Sequence, residues 1–589
     1  MGDMVVLQGV GVSQGIVIGP AHLVARCMPD APHYCVTPEH RLDEEKRLIT
    51  ALDKSRSQLV NIQQDLTKQQ NNPELLYILD AHRLILEDTM LRDGTVAYVK
   101  KGYNAEWAVV RYLSEIIAVF QQMDDAYLRA KRSDIEQVGK RLLNNLLGHS
   151  DEPIAGFPNP VILVAEEFTP SDTLQMKHDT VLGFISQRGG RTSHTAILAK
   201  SLDIPAVVGV AKATTIISQG DLLVVDGLNG LLHVNPEPQT LAQLKDKQQR
   251  YSFFQQRLLD STIQPAITTD GHKILLKANI ELYSDAFKAK RLGADGIGLY
   301  RTEHLYMNRS VLPDEEELVR TFKQVVTSMK DLPITIRTMD VGGEKQTKLF
   351  FNSGEYAGVN PAMGMQGIRF CLRKERSVFL SQLRALLRIG SEGDVRILLP
   401  MISGVAELEE VLQLLAEAKT GLTRDGLEFN PDVPVGVMVE VPAAALCAKE
   451  LGAKVDFLSV GTNDLIQFTL AVDRQDESVA YLYESGHPAV LRLISMALAG
   501  GKASGVPVSV CGEMAGDPRF AALFMGMGID ELSMTPGCLP LIRRITRAMD
   551  FTQQESMASG VLDCQSTTQV MSLLEEMLRS SCGEEHIFH

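Results

Sequence analysis

Within the stretch GGRTSHTAILAKSLDIPAVVG, residues 189–209, a single histidine, His194, stands between a glycine pair with Arg191 and an apolar segment of helical texture. Glycine lets backbone approach a ligand closely, Thr192 and Ser193 are N-cap residue types, and Ala196, Ile197, Leu198 and Ala199 supply the first helical turns. A helix start offers free N–H groups and the positive end of its dipole, so an anion carried by His194 would be stabilised there. A neutral imidazole can attack an electrophilic phosphorus through a ring nitrogen. The same pattern also suits a capping or surface histidine, and the motif alone leaves both readings open.

A second set of chemistry-bearing residues follows short apolar runs in the C-terminal half: Arg301 and Glu303, Arg337 and Asp340, Glu440, Asn463 and Asp464, Cys511 and Glu513. With Arg474 the arginines offer guanidinium forks for the phosphate and carboxylate of a small polyanion. Glu440 and Asp464 supply hard oxygens suited to Mg2+. Cys511 reads either as a proton donor to carbon or as inert packing.

These residues need elements to carry them. The runs 273–280, 295–303, 333–340, 395–402, 434–441, 455–464, 507–513 and 529–534 are continuous apolar strands separated by amphipathic helical segments. Such units predict a closed parallel barrel, whose C-terminal rim is where barrel enzymes build their sites. In the N-terminal half, residues 4–24 suit two short strands, and the runs after Pro153 suit a compact α/β domain around His194. Between them, apolar residues spaced by three and four predict a long helix from about Pro38, then helices at 74–87, 105–122 and 133–147. His82 in this insertion reads as a packing or surface histidine. The Gln-rich stretch 239–259 lacks turn residues and predicts a linker helix.

The 589 residues exceed one ordinary core, and 45% hydrophobic with 22% charged content is that of a water-soluble globular chain. A net charge of −15 argues against a nucleic-acid binder. No apolar run is long enough to span a membrane and the N-terminus lacks signal character, so no membrane insertion and a cytoplasmic location are expected. None of the eight cysteines forms a C-x-x-C pair, which points to reduced thiols.

The strings FTPSDT (168–173), GGRTSHTAILAKSLDIPAVVG (189–209), GADGIGLYRTE (293–303), IRTMDVGGEK (336–345), GVMVEVPAA (436–444), SVGTNDLIQFTLAVDR (459–474) and VCGEMAGD (510–517) together resemble enzyme I of the bacterial phosphotransferase system, along essentially the whole chain. The resemblance implies a multidomain α/β fold: a swivelling phosphohistidine α/β domain (1–29 and 150–236), an inserted all-helical subdomain (30–149), a linker helix (237–262), and a C-terminal (β/α)8 TIM-type barrel (263–589). It implies transfer of a phosphoryl group from phosphoenolpyruvate to His194 and then to the carrier protein HPr, with release of pyruvate. His194 matches the phosphorylated histidine and Thr173 the hydroxyl that hydrogen-bonds it. Arg301, Arg337, Asn463 and Arg474 match groups that hold phosphoenolpyruvate, Glu440 and Asp464 match Mg2+ ligands, and Cys511 matches the acid that protonates the enolate carbon. HPr docking on the helical subdomain and a homodimer through the barrel are implied as well.

One position departs from the family pattern. In NPAMGMQGIRF (360–370), Met365 and Gln366 stand where the family has an aromatic residue and an arginine. Gln366 donates a hydrogen bond but no charge, which raises the alternative of a regulatory paralogue with weakened turnover. A dikinase or synthase would need a nucleotide-binding domain, and no glycine-rich nucleotide loop is present.

Overall fold

The computed structural model describes the chain except residues 1–4, 25–30, 69–72, 122–125, 149–158, 169–179, 191–194, 197–198, 200–203, 261, 263, 307–310, 343–362, 475–478, 530 and 583–589. The chain divides into two compact units, residues 1–253 and 254–588.

The first unit is built on one mixed eight-stranded sheet. Its strands are β1 (Val5–Gln8), β2 (Val10–Ser13), β3 (Ile16–Leu23), β4 (Val161–Ala165), β5 (Val181–Ser186), β6 (Ala206–Val208), β7 (Leu222–Asp226) and β8 (Leu231–Val234), in the order β1-β8-β7-β3-β4-β5-β6-β2. The run β3-β4-β5-β6 is parallel and the flanking pairs are antiparallel. Three strands lie within residues 5–23, where the sequence predicts two. The Gly9 N–H donates to Gly230 O, and the chain on either side of it joins opposite edges of the sheet, β1 beside β8 and β2 beside β6.

Helices Arg41–Lys68, Pro73–Glu87, Thr89–Lys100, Ala105–Gln121 and Ala126–Leu147 form the insertion. Leu48, Leu59, Val109 and Leu142 share a core with Leu163 and Phe184 of the sheet. The opposite sheet face carries its own core of Ile162, Val164, Ile185 and Val207. The helix Thr89–Lys100 was absent from the sequence pattern because Gly94 interrupts it. A Cβ at Gly94 would lie 2.1 Å from the Tyr112 ring, so glycine is what lets this helix pack against Ala105–Gln121. Asp88 caps it by accepting from the Met90 N–H at 2.8 Å. His82 is buried, 3.3 Å from Asp134, in accord with the packing reading.

The helix Pro238–Asp260 covers the expected linker stretch. Its Leu244 packs with Ile16 and Val224, and Lys247 bonds Asp226 at 2.6 Å, tying its first half to the sheet.

In the second unit β9 (Leu275–Ile280), β10 (Ile297–Tyr300), β11 (Ile334–Arg337), β12 (Val395–Leu399), β13 (Val435–Val439), β14 (Phe457–Val460), β15 (Val508–Val510) and β16 (Glu531–Met534) close into an all-parallel barrel. Every one of these strands lies within a predicted run, because continuous apolar strands are what a doubly covered parallel sheet demands. Helices such as Glu315–Met329, Arg376–Ile389 and Val405–Arg424 cover the outside. Leu299, Leu398, Met438, Phe457 and Cys511 come from five different strands or strand ends and pack together apart from the helix-facing core, which places them in the barrel interior. Among the described residues, no helix is long and apolar enough to cross a membrane.

Candidate active site

Arg301, Arg337, Glu440 and Cys511 occupy equivalent places: Arg337 ends β11, and the others directly follow β10, β13 and β15. Asn463 and Asp464 stand in the first turn of the helix Thr462–Leu470, just past β14. All six therefore sit at one end of the barrel, the C-terminal rim. The loop after Cys511 comes close to that helix start, since a Cβ at Gly512 would lie 1.8 Å from Thr462 Oγ1.

Arg337 is 4% exposed and held between two carboxylates. Its Nη2 lies 2.5 Å from Glu303 Oε1 and 3.1 Å from Asp340 Oδ2, while Nη1 reaches Met438 Sδ at 3.7 Å. Burial alone would lower its pKa, but Glu303, Asp340, Glu440 and Asp464 outweigh that and raise it, so the guanidinium is permanently charged. Its Nε is buried without a hydrogen-bond partner. Gln382 braces the neighbouring backbone by accepting from Met339 N at 2.9 Å and donating to Thr302 Oγ1 at 3.1 Å.

Glu440 is 1% exposed. Its Oε1 accepts from the Met401 N–H at 2.6 Å, whereas Oε2 is buried and unpartnered. Burial first, then the Asp464 and Asp340 charges, push its pKa well above the carboxylate range, with Arg337 opposing. A buried carboxylate oxygen with no donor carries a large desolvation cost, which a divalent cation would remove. Among the described residues no three metal-ligating side chains gather here. Mg2+, however, is commonly held by one or two carboxylates, with water and substrate oxygens completing its shell. Glu440 with Asp464 fits that donor set.

Asp464 also lies 3.8 Å from Arg474 Nη2. Asn463 donates to Glu513 Oε1 at 3.3 Å and accepts from the Glu513 N–H at 3.1 Å, while Tyr483 Oη donates to Asn463 O at 3.0 Å. Arg301 is the most open of the three rim arginines and pairs with Glu281 at 2.6 Å. Gln366 precedes the helix Gly367–Arg373, its Nε2 3.7 Å from Met401 Sδ, and Arg369 is engaged by Glu407 at 3.2 Å. Lys345 lies outside the described residues.

Cys511 is buried in the apolar interior cluster, and burial pushes its thiol up to about 11, against an opposing hydrogen bond from Ser459. The thiol therefore keeps its proton at neutral pH, the state a proton donor needs.

His194 and Thr173 lie outside the described residues, as does Arg191. The described flanks form a firm frame at the C-terminal ends of β4 and β5. Phe168 N donates to Thr195 Oγ1 at 3.4 Å, Ser186 Oγ donates to Arg188 O at 2.7 Å, and Arg188 pairs with Glu166 at 2.8 Å. Thr195 and Ala196 are helical and buried, as the sequence pattern after residue 194 predicts.

Glu303 and Asp340 stand out in the sequence only as charged residues at strand ends, and Gln382 and Ser459 do not stand out among the candidates. The signal for Ser459 was a polar residue inside the apolar run VDFLSV.

Family models match the chain in three places: PEP-utilising enzyme, N-terminal, at residues 8–131; PEP-utilising enzyme, mobile domain, at 157–230; and PEP-utilising enzyme, PEP-binding domain, at 255–551. Among curated proteins, a phosphoenolpyruvate-protein phosphotransferase of Cupriavidus necator is 40% identical over 584 residues, covering 97% of this chain and 99% of the relative. Proteins of the same name from Staphylococcus carnosus and Bacillus subtilis are each 36% identical, covering 98% and 97% of this chain and 99% and 100% of their own lengths. The alternative of a regulatory paralogue gains no support from these names.

Proposed function

The chain belongs to the phosphoenolpyruvate-protein phosphotransferase family, and from that premise we propose that it moves the phosphoryl group of phosphoenolpyruvate to His194 and on to the histidine of HPr, releasing pyruvate. The observation that carries this reading is the rim itself: a buried, doubly braced Arg337 beside a buried Glu440 whose free oxygen calls for a cation.

Phosphoryl transfer asks for positioning and charge neutralisation more than covalent chemistry. Arg337, Arg301 and Arg474 orient the substrate phosphate and carboxylate, and Asn463 adds a neutral donor. Mg2+ held by Glu440 and Asp464 would neutralise charge on the phosphate and on the departing enolate oxygen. His194 receives the phosphoryl group, with Thr173 orienting the ring. Cys511 then gives its proton to the methylene carbon of the enolate, making pyruvate. The stations belong to different units, so His194 must visit the rim and then its carrier.

The test is incubation of the full chain with phosphoenolpyruvate, Mg2+ and HPr, following label onto each protein. Transfer to HPr is expected, lost in His194→Ala and on chelation of the metal. Transfer that survives His194→Ala, or that demands ATP, overturns the reading. HPr docking on the helical subdomain, a homodimer through the barrel and a cytoplasmic location are proposed with it; titration of HPr and sedimentation of the full chain test the first two.

A further inference from the structure

We propose that Ser459 is the positioning residue for Cys511, its hydroxyl, backed by that of Ser509, aiming the thiol and holding the thiolate that remains after proton transfer. This rests on the assignment of Cys511 as proton donor made above.

Strands β14 and β15 pair in parallel with Ser459 opposite Ser509, and Cys511 follows two residues on. Ser459 Oγ donates to Cys511 Sγ at 3.1 Å, and Ser509 Oγ donates to Ser459 Oγ at 3.0 Å. The thiol hydrogen faces the distant Val460 O at 3.6 Å, a weak contact that leaves it able to turn toward a substrate. Ser459 is buried, and the surrounding interior residues Leu299, Leu398, Met438 and Phe457 are apolar. Two hydroxyls in such a place carry a desolvation cost that an apolar pair would avoid. Both donate in the same sense, toward the sulfur, so each polarises the next.

In the step concerned, the enolate carbon takes the thiol proton. A C–H bond forms from the enolate π pair, the S–H bond breaks, and its electron pair stays on sulfur as thiolate. An apolar pocket is a poor environment for that charge. A hydroxyl donor to an anionic sulfur is stronger than the same donor to a thiol, so the Ser459 contact tightens as the proton leaves. Water returns the proton once pyruvate departs. An interaction that strengthens only along the reaction raises kcat and leaves KM alone.

Two readouts on the full-length protein test this: steady-state pyruvate release with HPr as acceptor, and deuterium entry into the methyl group of pyruvate in D2O with the phosphorylated protein and Mg2+, followed by NMR. Ser459→Ala is expected to lower kcat and methyl exchange about tenfold, the effect of one such hydrogen bond, with KM for phosphoenolpyruvate unchanged. Ser459→Thr, which keeps the hydroxyl, recovers most of the loss, and Ser509→Ala lowers kcat by about threefold with the same unchanged KM. Wild-type kcat and exchange in Ser459→Ala, or a loss confined to KM, overturn the proposal. So does a Ser459→Thr variant as slow as Ser459→Ala. Cys511→Ala is the control: full exchange in that variant removes the assignment of Cys511 itself. Exchange lost in Cys511→Ala but intact in Ser459→Ala overturns Ser459 alone.

Discussion

Asp226, at the end of β7 in the first unit, and Glu440, just past β13 in the second, each leave only 1% of their surface exposed. Asp226 is fully satisfied. Its Oδ1 accepts from the Leu228 and Asn229 N–H groups at 3.0 and 3.1 Å, and its Oδ2 from Asn229 Nδ2 at 2.9 Å and Lys247 Nζ at 2.6 Å. Burial would raise its pKa, but the Lys247 and Asn229 bonds win and hold it below the usual range. Glu440 has one backbone donor, one orphaned oxygen and two carboxylates nearby, and its pKa goes the other way. Equal surface exposure thus goes with a satisfied carboxylate in one place and an unsatisfied one in the other. The difference lies in the neighbours: Lys247 and Asn229 meet Asp226, whereas Glu440 has one backbone donor and faces Asp464 and Asp340, and an unmet demand inside a folded protein marks a candidate site.

The largest effect expected from breaking this contrast is on turnover. Glu440→Gln removes the charge that Mg2+ would meet, and pyruvate release from phosphoenolpyruvate should fall at least about 1,000-fold, with chelation doing the same to the wild type. Next comes the satisfied carboxylate. Asp226→Asn should cost about 2–3 kcal/mol in the unfolding of the first unit by urea, the worth of hydrogen bonds to a charged group. Because the folded pKa of Asp226 is lowered, its contribution is present above the ordinary carboxylate pKa of about 4 and is lost as pH falls through the folded value, so variant and wild type should converge in acid.

A smaller effect concerns the positive side of the rim. Gln366→Arg adds a charge beside Met401, and isothermal titration should show phosphoenolpyruvate binding about tenfold tighter. Unchanged affinity would mean that another cation already fills that role. Smallest is the stability of Glu440→Gln without Mg2+, expected to exceed wild type by about 1 kcal/mol at pH 8 in thermal unfolding. Here the folded pKa is raised, so wild-type stability is full below the unfolded pKa of about 4.3 and falls as pH rises; the advantage of the variant should shrink from pH 8 toward pH 5. If Glu440→Gln is no more stable at pH 8, the carboxylate is not strained and the contrast with Asp226 fails.

Much of the fold was open to reading in the chain. Each barrel strand was a continuous apolar run, and Arg337, Glu440 and Cys511 stood out as chemistry-bearing residues at the ends of such runs. The helix Thr89–Lys100 was not, because Gly94 is there for a ring 18 residues away and local propensity registers it only as a break. Nor was the state of the rim residues: that Glu303 braces Arg337, that Arg301 leans on Glu281, and that Ser459 reaches Cys511 are contacts between separate strands and loops.

Residue type and spacing therefore determined, without any coordinates, the barrel strands, most of the helices and which residues are candidates for the site. Those properties follow from periodicity and side-chain chemistry, which are local. Only the tertiary structure decided which of two carboxylates hidden from solvent is paired and which is left wanting. Solvation and charge depend on neighbours brought together across the barrel, and that sum appears only once the chain has closed.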